Sequence, residues 1–192
     1  MTPQVFPFQF VANDPALDFV NTRIVVGTQT VDLIETRAQL ANWFKDAGIK
    51  TSIEAWQDSD VLQLHTLRDA LRDVLRAVIE DSAPEARALA EINGHLQRHV
   101  AQTHLAYDGT TFHVTEPQTE LTPAATMSFL ASRAATLLAA TDPDRIKACA
   151  DEKCVLVFKD TSKSGRRKWC SMETCGNRTK AAKFRKTALA PS

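Results

Sequence analysis

Glycine is scarce in this chain, at 6 residues of 192, and tyrosine occurs once. With so few glycines there is no Gly-x-Ser-x-Gly elbow and no glycine-rich phosphate cradle, which removes two widespread routes to catalysis and argues against an enzyme. Long apolar runs are also lacking. The longest, Met127 to Ala140, is broken by Arg133 and falls short of the roughly eighteen residues that cross a bilayer. Residues Met1 to Phe10 have neither a charged start nor an apolar core, so no secretory leader is expected and a reducing cytoplasm is the assigned compartment. No internal repeat or low-complexity tract interrupts the sequence. Cysteine is absent until residue 149.

Net charge is lacking too, since 23 Lys and Arg balance 23 Asp and Glu. The balance hides a division. From Arg145 onward there are 13 basic against 4 acidic residues, +9, and the 10 against 19 that precede them give −9. An acidic body thus carries a basic tail.

With 44% hydrophobic residues the chain can bury a core, and its periodicity is mostly helical. Phe6, Phe8 and Phe10 alternate as a short strand would. Asn13-Asp14-Pro15 then predicts a helix start, with Leu17, Val20 and Ile24 on one face. Thr36 is placed to cap a second helix carrying Leu40, Trp43 and Phe44, ended by Gly48. A third helix is predicted from about Asp60 to Asp81 on the three- and four-residue recurrence of Val61, Leu64, Leu67, Arg68, Leu71 and Leu75. Pro84 opens a fourth, to about Ala101. Asp108-Gly109 joins Leu105–Tyr107 to Thr111–Thr115 as a hairpin, and Thr122-Pro123 starts a fifth helix ending near Ala140. Thr141-Asp142-Pro143-Asp144 breaks this pattern where the charge changes, dividing the chain into residues 1–142 and 143–192.

All four cysteines lie in the basic part, as Cys149-x4-Cys154 and Cys170-x4-Cys175. Two close thiol pairs in a reducing compartment suit one Zn2+, which takes four thiolates tetrahedrally and then has no open position. The metal is therefore expected to be structural. Four thiolates against Zn2+ lower the tail's charge to about +7. Val155 to Phe158 has strand composition, Thr161 to Gly165 that of a turn, and Arg167-Lys168-Trp169 that of a return strand. A basic helix is expected from Arg178, with Ala181, Phe184 and Ala188 inward and Phe184 packed on the hairpin. This order of knuckle, hairpin, knuckle and helix resembles a treble clef, and the fold class is α+β: a mostly helical N-terminal domain with a short hairpin, then the finger. About fifty residues are too few to fold on apolar contacts alone without the metal.

The segment from Cys149 to Lys186 closely resembles the CGNR-type zinc finger. The residues that carry the likeness are Phe158-x-Asp160-x-Ser162, Arg167-x-Trp169-Cys170-Ser171-Met172 and Cys175-Gly176-Asn177-Arg178-x-Lys180. Leu17-Asp18-Phe19-Val20-Asn21-Thr22, with Trp43 downstream, is similar to the opening helix of the ABATE domain, which commonly precedes that finger. Together they cover nearly the whole chain. The resemblance implies a bacterial, stress-induced transcription regulator, with a DNA-binding finger and an N-terminal domain that binds a small ligand. The two acids within Cys149-Ala-Asp-Glu-Lys-Cys154 make the first knuckle a poor nucleic-acid contact.

For DNA the candidate contacts are Arg166, Arg167, Lys168, Arg178, Lys180, Lys183, Arg185 and Lys186, enough to neutralise several phosphates. Arg178 can read a guanine edge, cap the zinc knuckle or pair with Asp160. The competing reading is an RNA- or protein-docking module held by structural zinc, because fold alone does not choose among these uses. Asn21, Thr22 and Arg23, beside Trp43, form the candidate ligand site, although Asn21 and Thr22 can equally close their own helix. His95 and His99 stand one turn apart without a third ligand and read as an exposed face, and His65 as a boundary residue. A single finger binds weakly, so a homo-oligomer would help.

Overall fold

The computed structural model describes residues 6–97, 104–115 and 120–188. Its first surprise is Phe6 to Phe10, which forms no strand. Its aromatic side chains pack instead: Phe10 stacks on Trp43 with ring centroids 6.5 Å apart.

Helix α1 (Pro15–Val20) starts where Asp14 accepts the Ala16 amide at 2.9 Å, with Pro15 in the first turn. It stops after 6 residues. Ile24, expected on the same helix, lies instead in β1 (Arg23–Val26), paired antiparallel with β2 (Gln29–Asp32). The β-branched run Ile24 to Val26 favours the strand, and Gly27, at φ 63°, makes the tight reversal. Helix α2 (Arg37–Asp46) has the capping box of Thr36 and Gln39.

Helix α3 (Asp58–Ile79) is the central element, and α1, α4 (Ala86–Leu96) and α5 (Pro123–Ala140) pack around it. Leu64, Leu67 and Leu71 are buried there, and Phe19, Trp43, Phe44 and Trp56 form an aromatic cluster with centroids 5.2–5.6 Å apart. Arg68 occupies the apolar face that the sequence pattern gave it and is 0% exposed. It donates to Thr22 Oγ1 and Asp32 Oδ1, both at 2.8 Å, so that the residue before β1 and the end of β2 are tied to α3, the latter through a partly buried ion pair. Burial alone would raise the Asp32 carboxyl, but Arg68 outweighs it and holds the pKa below the usual value. His95, expected to be exposed, is buried, and its Nε2 stands 3.1 Å from Glu91 Oε1; His99 lies outside the described residues. His65 is half-buried, with Nε2 3.0 Å from the carbonyl of Ile34. Strands β3 (His104–Tyr107) and β4 (Phe112–Thr115) form the expected hairpin, where Asp108 accepts the amides of Thr110 and Thr111.

A short 3-10 turn, Pro143–Arg145, leads from α5 into β5 (Ile146–Ala148), which pairs with β6 (Val157–Lys159). This hairpin differs from the expected one. Its strands flank the first cysteine pair, and Arg167 to Trp169 form no return strand. The cause is Asp160, 2% exposed, which accepts hydrogen bonds from Lys147 Nζ, the Ser162 amide and hydroxyl, and the Arg167 amide, curling residues 160–167 into a loop. Gly165 closes that loop at φ 62°, and a Cβ there would lie 3.0 Å from Arg145 Cζ.

A π-helical turn, Met172–Gly176, runs directly into α6 (Asn177–Ala188). Here a further expectation fails. Ala181 is exposed and Phe184 is 75% exposed, because α6 packs chiefly on the turn that precedes it and leads away from the hairpin.

One apolar cluster nevertheless joins both parts of the chain, from Leu17, Leu71 and Leu137 to Ile146, Phe158 and Cys170. Polar clasps reinforce it. Asn21, 1% exposed, donates Nδ2–H to the Val157 carbonyl at 2.8 Å and accepts the Val157 amide on Oδ1 at 2.9 Å. Lys159 donates its amide to Ala12 and accepts from Asn13 Nδ2, and Arg167 Nη2 donates to the Val11 carbonyl at 3.1 Å.

Candidate metal centre and cationic face

The hairpin places Cys149 just after β5 and Cys154 shortly before β6, where the Cys149 amide donates to Leu156 and the Cys154 amide to Asp151. The second pair is held by Ser171, whose hydroxyl accepts the Thr174 amide and whose carbonyl accepts those of Cys175 and Gly176. Loop and turn bring all four Sγ atoms within 4.8 Å of one another.

Cys154 and Cys170 sulfurs are 3.7 Å apart, and Cys170 and Cys175 sulfurs 3.6 Å. Zinc–sulfur bonds of ~2.3 Å in a tetrahedron put neighbouring sulfurs ~3.8 Å apart, so the cluster matches the cavity that one Zn2+ needs. Disulfides require a separation of ~2.05 Å, and all four cysteines are free thiols. The amide of Cys170 also points at Cys149 Sγ, 3.4 Å away, as a donor to a thiolate would.

In the metal-free chain this crowding divides the proton affinities. A hydrogen bond from Cys170 draws the Cys154 thiol down to about 6, while burial pushes Cys175 up to about 12. Cys170, hydrogen-bonded to Cys154 and buried, is pushed up beyond the usual thiol range. A metal ion would replace the retained protons.

Around the thiols lies a polar frame that the residue pattern did not disclose. Arg178 Nε donates to Asp151 Oδ2 at 2.6 Å, and Nη2 to Cys175 Sγ at 3.3 Å. Its partner is thus Asp151, not Asp160. Asp151 also accepts the Lys153 amide at 3.0 Å. Burial would raise the Asp151 carboxyl, yet the Lys153 amide and Arg178 outweigh it and hold its pKa down. The acid that made the first knuckle unsuitable for nucleic acid therefore has a role inside the finger. Asp160, likewise, is held well below the usual carboxylate range, because Lys147 and Ser162 outweigh its burial.

The predicted DNA contacts separate into two groups. Arg178 and Arg167 are engaged within the finger; Arg167 Nε donates to Trp169 O at 2.9 Å, Nη2 reaches Cys170 O, and the guanidinium lies 4.4 Å from the Phe158 ring centroid. Arg166 and Lys168 are exposed on the loop, and Lys180, Lys183 and Arg185 are exposed on α6. Lys186 belongs to α6, its side chain lying outside the described residues.

Of the candidate ligand residues, Asn21 holds the finger as described above. Thr22 donates to the Phe19 carbonyl and accepts from Arg68, Arg23 pairs with Asp69 at 2.6 Å, and Trp43 is buried among aromatic rings. Asn21 and Thr22 are thus engaged inside the fold, and Arg23 in a half-exposed ion pair. Among the described residues no helix is long and apolar enough to cross a membrane.

Two family models match the chain. ABATE, described as "Putative stress-induced transcription regulator", matches residues 13–141, and the CGNR zinc finger matches residues 145–188. No curated protein matches it.

Proposed function

The chain belongs to the ABATE family and carries a CGNR zinc finger, and from that premise we infer that it regulates transcription by binding duplex DNA through the cationic face of the finger. The observation that supports this most is α6, which leads away from the hairpin with Lys180, Lys183 and Arg185 exposed, beside a loop with Arg166 and Lys168 exposed. A helix with cations exposed along its length suits a phosphate backbone, and about four or five phosphate contacts give a log–log salt slope of roughly −4 to −5. Such contacts position the protein and do not choose a sequence. Zinc acts structurally, holding the turn from which α6 starts.

The N-terminal part is the proposed sensor of a small ligand, and Asn21, Asn13 and Arg167 form the path by which it would reach the finger. Signalling along that path requires a ligand that prefers one arrangement of the two parts. A reducing cytoplasm keeps the thiols available for zinc, and a homo-oligomer would raise avidity on DNA.

Fluorescence anisotropy of zinc-loaded protein with duplex DNA and with single-stranded RNA, across a salt series, tests the reading. Preferential duplex binding that weakens steeply with salt and falls in Lys180→Ala/Lys183→Ala/Arg185→Ala supports it. Preference for RNA, or no binding of either while zinc remains bound, replaces it with an RNA- or protein-docking module.

A further inference from the structure

A cleft of about 750 Å3 opens between the C-terminal end of α3 and the finger. Its volume is within the range that small-molecule sites occupy, roughly 300–1,000 Å3. Each family-matched span supplies a wall. Val78 and Ile79 come from α3, Ala148 from β5, and Arg166 and Lys168 from the loop that Asp160 curls.

The chemistry of the walls is specific. Val78 and Ile79 are only half-buried, so branched apolar surface faces the opening, and Ala148 beside them is exposed. Four cations and two carboxylates, Asp81 and Asp144, line the cleft, and with Lys147 paired to Asp160 outside the lining the balance is positive by one. Among the cations Lys147 is neutralised by Asp160 at 2.8 Å, whereas Arg166 and Lys168 make no ion pair with any described residue. An apolar floor under unpaired cations matches a molecule with a hydrocarbon body and one acidic end.

We propose that this cleft binds a small amphipathic anion, its apolar body against Val78, Ile79 and Ala148 and its acid group between Arg166 and Lys168. The site itself stands on the geometry alone. Its consequence for regulation rests on the DNA reading: the anion takes two cations that would otherwise meet phosphates, so occupancy weakens duplex binding and the two ligands are antagonists.

Calorimetric titration of the full-length, zinc-loaded protein with octanoate, and with 1-octanol as the uncharged counterpart, tests the site. Octanoate is expected to bind saturably with one-to-one stoichiometry, and octanol at least about tenfold more weakly. Ala148→Trp should fill the cleft and abolish binding with zinc retained. Arg166→Gln/Lys168→Gln, which changes only exposed side chains, should weaken octanoate at least about tenfold and leave octanol unchanged. Absent octanoate binding, equal affinity for octanol, or unaltered binding in the Arg166→Gln/Lys168→Gln protein overturns the proposal. Saturating octanoate should also lower duplex affinity. If octanoate binds as expected but the protein binds no duplex at any salt, the cleft stands and the DNA reading fails; if duplex binds and octanoate leaves its affinity unchanged, the antagonism is overturned.

Discussion

Arg178 Nε meets Asp151 Oδ2 at 2.6 Å across the cysteine cluster, joining the start of α6 to the first knuckle, while its Nη2 rests 3.3 Å from Cys175 Sγ. A guanidinium is suited to this place because it offers several donors in a fixed fork and keeps its charge. Two thiolate pairs around Zn2+ leave net negative charge, which Arg178 offsets from beside Cys175. Arg178→Ala is therefore expected to weaken zinc binding about 10- to 100-fold, measured by competition with a chromogenic chelator, with Arg178→Lys intermediate. An unchanged zinc affinity together with a lost DNA affinity would return Arg178 to base reading.

Removing zinc should disturb more than the finger. Cys149, Cys170 and Cys175 belong to the same buried cluster as Leu17 and Leu71, so the loss of zinc exposes a face of the body as well. Thermal unfolding followed at tryptophan and by far-ultraviolet circular dichroism should shift down together on chelation, as one transition. Two separated transitions with the first span's midpoint unchanged would show that the parts are energetically independent.

Asn21, itself buried, makes two hydrogen bonds to the half-buried Val157, and Asn21→Ala would leave that amide and carbonyl without these partners. A destabilisation of about 2–3 kcal/mol is expected from urea unfolding. Asn21→Asp should also be harmful, because the Val157 carbonyl would then face a carboxylate oxygen instead of a donor. If either variant unfolds at the wild-type urea midpoint, Asn21 is not a clasp.

Asp18 links pH to stability. Burial raises its carboxyl from 3.8 to about 6, against the opposing amides of Ala12 and Val11. Since the folded pKa exceeds the unfolded one, this residue's contribution to stability is fully present below 3.8 and is lost as pH rises through about 6. Asp18→Asn keeps an acceptor for the Ala12 amide and removes the buried charge. It should stabilise by about 1–2 kcal/mol at about pH 7.5, and the gain should vanish near pH 4. A gain independent of pH would contradict the assignment.

Features decided by neighbours in sequence were legible in advance. Thr36 and Thr122 cap α2 and α5, Asp108-Gly109 turns the β3–β4 hairpin, and the cysteine spacing located the metal cluster, because each requires only residues a few positions apart. What depends on distant partners was not. The apolar spacing of Leu17, Val20 and Ile24 continues a helical period past the point where Thr22 and β2 end the helix, so periodicity carried the expectation too far. Arg167 to Trp169 has strand composition, yet Asp160 takes the Arg167 amide, which a return strand would have needed. Phe184 fits an inward stripe on α6, but nothing in its own spacing records that the helix leaves the hairpin. Asp151 counted in the sequence only as an acid unfavourable to nucleic acid, because only the folded chain brings Arg178, 27 positions later, against it.

A two-stranded sheet has two open edges, and an open edge invites another chain to add a strand and begin aggregation. On β6 that edge is closed by a side chain: the amide of Asn21 presents one donor and one acceptor to Val157, as a passing peptide unit would, and Ala12 and Asn13 do the same at Lys159. Three residues thus take the place of a third strand. The same amide that joins body to finger keeps the finger from pairing with copies of itself, so weakening it costs solubility as well as stability.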